Sequence, residues 1–114
     1  GKFLDAALIE TASAFVALTD AATVAVDWDA GINFSLTVTA DRIIGNPTNG
    51  QPGTWRTILV QGNNTTDRTI TFGANYGGEV PDITDCDDTK WYLLTIFCVT
   101  TSHFLVSAID GSPP

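Results

Sequence analysis

Positive charge is scarce in this sequence: five Lys and Arg residues stand against thirteen Asp and Glu, for a formal net charge of −8. The five bases, Lys2, Arg42, Arg56, Arg68 and Lys90, are scattered singly along the chain. A protein that grips phosphate backbones gathers its bases into a patch, so nucleic acid is not an expected partner. The same scarcity argues against an anionic membrane surface. No run of about eighteen apolar residues occurs, so no helical membrane span is expected. Histidine is represented by His103 alone, and cysteine by Cys86 and Cys98. These three cannot supply a zinc ligand set at such spacing. No Ser-His-acid arrangement can be argued, and the glycine-rich stretch Gly73 to Gly78 lacks the Lys-Ser/Thr ending of a phosphate loop. Catalysis is therefore not expected, nor is any cofactor or metal.

What is present is apolar and uncharged polar material. Of 114 residues, 44% are apolar and only 16% charged. A chain of this length fits one domain with a thin core. So few charges leave Thr, Ser, Asn, Gly and apolar side chains to cover the surface, which suggests that part of it becomes buried against a partner. From Thr23 onward the sequence alternates with period two. Val24, Val26 and Trp28 fall on one face of one segment, and Phe34, Leu36 and Val38 on one face of the next. Such alternation marks half-buried strands, and Asp29-Ala30-Gly31 between them reads as a hairpin turn. Further strands are expected at Arg42 to Ile44, Trp55 to Gln61, Arg68 to Phe72, Trp91 to Val99 and His103 to Ile109. The loop Gly45 to Gly53 holds two prolines and three glycines and cannot continue a ladder. Turns about every ten residues point to an all-β fold, an antiparallel β-sandwich of jelly-roll-like kind. An extended N-terminal arm at 1–17 precedes the sandwich domain at 18–114.

Two strands are apolar on both faces: Trp91 to Val99, and Ile58-Leu59-Val60. A strand of that kind is covered on both sides, by the arm or by another subunit. Ile58, Val60, Tyr92 and Leu94 are the candidates for self-association, and Phe3, Leu4 and Leu8 for an arm that reaches a neighbouring protein. Cys98, inside an apolar run, reads as a buried thiol, whereas Cys86 falls in an acidic stretch. That stretch, Glu79 to Asp88, gathers five carboxylates in ten residues. It lacks the central Gly and closing Glu of an EF-hand loop, so it reads first as a solvated loop, with a calcium site the competing reading. Trp28 continues the inward series of Val24 and Val26 and belongs to the core. Tyr76, in a glycine-rich loop without a periodic partner, is the best candidate for an exposed ring that could stack on a sugar.

Several of these segments together resemble a β-domain that recurs in tail-fibre and minor virion proteins of tailed bacteriophages. The opening run Leu18 to Gly31 and the strand Phe34 to Thr39 carry the likeness first. The Asn46-Pro47-Thr48-Asn49 loop, the segment Arg68-Thr69-Ile70-Thr71-Phe72-Gly73 and the closing strands at Leu94 to Phe97 and His103 to Val106 complete it. Where that family alternates polar residues outward on its long middle strand, this chain has Ile58 and Val60. The resemblance implies a homo-oligomer, usually a trimer, attached to a virion. Short length then favours a cement or decoration protein bound to the major capsid protein outside the shell, where an acidic chain is kept from the packaged DNA. The alternative is a fibre or head-fibre module that binds host glycans through Tyr76.

Overall fold

The computed structural model describes residues 11–111 of the chain. Its ten strands are β1 (Phe15–Ala17), β2 (Thr23–Val24), β3 (Asn33–Val38), β4 (Arg42–Ile44), β5 (Trp55–Gly62), β6 (Arg68–Phe72), β7 (Tyr76–Gly77), β8 (Ile83–Cys86), β9 (Tyr92–Thr100) and β10 (His103–Asp110). They form a six-stranded sheet, in the order β1-β3-β5-β9-β10-β7, and a four-stranded sheet, in the order β2-β4-β6-β8. Both sheets contribute to one core.

The all-β expectation holds, but the pairing is not that of an antiparallel sandwich. β1, β3 and β5 run parallel in register, as do β2, β4 and β6. The chain therefore winds: each of three successive coils lays one strand in the large sheet and the next in the small one. The expected hairpin between Thr23 and Thr39 does not form, because β2 and β3 lie in different sheets. Around the bend between them the winding is held by backbone bonds between coils. Trp28 N–H donates to the carbonyl of Thr48 and Thr48 N–H to that of Val26, each at 2.9 Å. After β6 the winding reverses. β8 packs antiparallel on β6 and β9 antiparallel on β5, β10 follows β9 as the second strand of a hairpin, and the short β7 pairs parallel with β10 at the edge of the large sheet. That last hairpin, with its turn at Thr101 and Ser102, is where the sequence placed it. β1 lies within the stretch expected to be an arm, where Phe15–Ala17 pairs with β3 as an edge strand.

The inward series are as the alternation required. Val24, Val26 and Trp28 are buried, as are Phe34, Leu36 and Val38. The loop between β4 and β5 is tied down over this core. Trp28 Nε1 donates to Thr54 Oγ1 at 2.8 Å. The Arg56 guanidinium lies 4.9 Å from the Trp28 ring centre and donates through Nε and Nη2 to the Trp28 carbonyl. Asn49 takes a left-handed φ of 59° and its amide donates to Asp27. Gly50 follows because a Cβ there would stand 2.7 Å from the Phe104 ring, which is buried against Trp28.

Candidate interaction surface

The strands with two apolar faces decide where a partner could bind. On β5 the side chains of Ile58 and Val60 point into the core, and on β9 so does Leu94; all three are 0% exposed within this single chain. They cannot meet another subunit, and the assignment of self-association to them is corrected. Tyr92, the fourth candidate, is half-buried, with its hydroxyl donating to the Asp85 carboxylate on β8. The parity of a strand with two apolar faces cannot be read from the strand itself; here the outward set is Trp55, Thr57 and Leu59 on β5.

Register then assembles the outer face of the large sheet. Trp55 pairs with Phe97 and Phe97 with Leu105, giving one apolar row across β5, β9 and β10. Thr57, Thr95 and Ser107 form the next row, and Leu59, Leu93 and Ile109 a second apolar row. On the other side of β5, Asn33 and Ser35 of β3 continue the face, followed by Phe15 and Ala17 of β1. None of these outward residues carries a charge. Trp55 is 55% exposed, Leu105 41% and Ile109 61%. The Trp55 and Phe97 rings meet edge to face at 4.7 Å, and beside them runs an open groove of about 360 Å³ lined by Trp55, Thr95, Phe97, Leu105, Val106 and Ser107. A contiguous apolar face that the described residues leave uncovered is unusual for a monomer in water.

The small sheet presents a different outer side. A shallow cleft of about 400 Å³ is lined by Ala22, Asp41, Arg42, Ile43, Thr69 and Thr71. Its polar groups already serve one another. Arg42 donates through Nε and Nη2 to Asp20 at 2.6 and 3.1 Å, and Asp41 accepts from Thr69 N–H at 2.8 Å. The Arg42 guanidinium holds the Asp20 carboxyl below the usual carboxylate range.

The remaining candidates are placed as follows. Tyr76 is buried rather than exposed: its ring packs against Phe72 and Phe104, and its hydroxyl donates to the Gly45 carbonyl at 2.9 Å. It cannot stack on a sugar in this fold. Phe3, Leu4 and Leu8 lie outside the described residues. Cys98 is buried, and so is Cys86, which sits at the end of β8 rather than in an open loop; both are free thiols. Within the acidic stretch, Asp85 is engaged by Lys90 and Tyr92, and Asp87 caps the turn to Thr89. Among the described residues no group of three or more His, Cys, Asp or Glu side chains is arranged to hold a metal ion. Compared with protein-family models, with curated proteins and with solved structures, the chain matches none.

Proposed function

We propose that this chain is a structural, non-enzymatic component of a tailed-phage particle, a homotrimeric cement or decoration protein on the outside of the capsid. One observation carries the reading: a strongly acidic chain keeps the outer face of its larger sheet free of charge and largely apolar. Function then resides in surface contact rather than in a pocket. The order of motifs from Leu18 to Val106 supports the phage setting, since it is similar to that of virion β-domains.

The mechanism is mass action. A protein that binds the assembled shell but not its separated subunits stabilises the shell by the free energy of that binding. The gain is about 2.7 kcal/mol per site at a free concentration a hundred times the dissociation constant. The net charge of −8 suits a position outside the shell, away from packaged DNA. A glycan-binding fibre module is the weaker reading, because the ring it relied on, Tyr76, is a core residue.

The test is addition of the purified chain to empty shells of the phage that encodes it. Saturable binding and a higher temperature of shell disassembly are expected. Absence of binding, or binding that leaves that temperature unchanged, would contradict the proposal.

A further inference from the structure

We infer that the outer face of the six-stranded sheet is where copies of this chain join, so that its occupant is a second copy rather than a capsid subunit. The inference deepens the proposed self-association by giving it a surface and a chemistry, and it rests on the face itself.

The charge balance is the first argument. Each copy carries −8, so two copies repel wherever their acidic surfaces approach. The rows Trp55-Phe97-Leu105, Thr57-Thr95-Ser107 and Leu59-Leu93-Ile109 contain no ionisable group. Copies can meet there without desolvating a carboxylate or placing like charges together, either of which would be costly. A partner recognised by charge complementarity would instead seek the carboxylates, which among the described residues lie on the turns and loops, about the smaller sheet and, in Asp110, at the far end of β10 beyond these rows.

The chemistry of the rows is also self-complementary. Apolar rows flank a row of hydroxyls, and a hydroxyl both donates and accepts. The same pattern on a second copy can therefore satisfy the Thr95 and Ser107 hydroxyls while the apolar rows bury one another. Carboxylates or amines in that row could not pair with themselves in this way. Trp55, more than half exposed and steadied by Phe97, has the character of the aromatic anchors that dominate interfaces.

Size is the third argument. Six strands at about 4.8 Å spacing and the eight residues of β5 at about 3.3 Å each give a face of roughly 24 by 26 Å, near 600 Å² in projection. A stable interface buries about 800 Å² on each partner. Side-chain relief brings the face close to that figure, provided the partner covers both apolar rows and not the groove alone.

The experiment measures the mass of the full chain by light scattering across a concentration series, with circular dichroism and thermal melting to verify folding. The wild type is expected to form a homo-oligomer of 12.1 kDa subunits. Trp55→Lys, Leu105→Lys and Ser107→Asp each bury an unpaired charge in the interface. Each is expected to weaken association by about a hundredfold or more while the fold is kept. Thr71→Lys, on the exposed side of the smaller sheet, is expected to leave the mass unchanged. A wild type that stays at 12.1 kDa throughout would overturn the inference. So would folded Trp55, Leu105 and Ser107 variants that keep the oligomer, or dissociation by Thr71→Lys to the same degree. An oligomer that fails to bind shells contradicts the virion reading alone, and a monomer that binds shells contradicts this inference and the homotrimeric state while the cement role stands.

Discussion

Replacing Tyr76 by Phe removes one oxygen from the centre of the molecule and tests how the coils are held together. The Tyr76 hydroxyl is buried and donates to the carbonyl of Gly45, itself buried between β4 and the following loop. Burial pushes the phenol pKa upward, so it stays a neutral donor throughout the physiological range. Phe keeps the ring against Phe72 and Phe104 but leaves the Gly45 carbonyl without this partner. A net hydrogen bond is worth about 1 kcal/mol, and stranding its buried acceptor raises the cost to about 1–3 kcal/mol. For a domain of this size that corresponds to a fall in Tm of roughly 4–13 °C. Tyr76→Ala, which also empties the ring site, is expected to cost about 3–5 kcal/mol, a large part of the whole stability of a small domain. The assay is thermal and urea unfolding followed by circular dichroism. An alkaline titration adds a second readout. A phenol whose pKa is raised by folding contributes stability that is complete below its unfolded value of about 10 and is lost as pH rises through the folded value. Tyr76→Phe should therefore make the alkaline decline shallower. A Phe variant that melts with the wild type, or an Ala variant that keeps full stability, would refute a buried Tyr76 and restore it as a surface ring.

Other consequences follow from charges and thiols. Asp20 is held below its usual pKa chiefly by its hydrogen bonds from Arg42. A depressed carboxyl contributes stability that is complete above about pH 4 and is lost as pH falls through the folded value. Asp20→Asn should lower stability at neutral pH and flatten the acid limb of the melting profile; an unchanged acid limb would contradict this. Both cysteines are buried, and burial pushes the Cys86 thiol up to about 11. Neither thiol should react with a thiol reagent in the native protein at neutral pH, and both should react on unfolding. Rapid native-state labelling would show that one of them reaches the surface.

The sequence reveals the covered faces of single strands more readily than it reveals the strands' partners. Val24, Val26 and Trp28 are inward because one side of that segment is apolar and the other small or polar. The same pattern is compatible with parallel or antiparallel pairing, since alternation reports coverage and not direction. The repeat that would have signalled winding is irregular. Phe15 pairs with Asn33 and Asn33 with Thr57, so successive coils differ in length by the loop that precedes β5. In β5 and β9 alternation fails altogether, and parity is set by contacts from other strands. This is why the sequence pattern points Ile58, Val60 and Leu94 outward although they face the core. The interaction face was hidden for a related reason: Trp55, Phe97 and Leu105 are neighbours only through the register of three strands. The hydroxyl residues Thr95 and Ser107, each flanked by apolar residues, are the available signal. Tyr76 reads as an exposed loop ring in the sequence because its partner Gly45 lies thirty-one residues away, beyond any local pattern.

The claim that contact through the uncharged sheet face is the protein's mode of action is tested most directly by hydroxyl-radical footprinting of the wild-type chain, dilute and then concentrated. Trp55, Leu105 and Ile109 are the exposed reporters of that face, and Ile43 on the smaller sheet is an exposed reference. Loss of labelling at the three reporters with concentration, while Ile43 labels as before, is the expected result. Equal labelling of all four at every concentration would contradict the account.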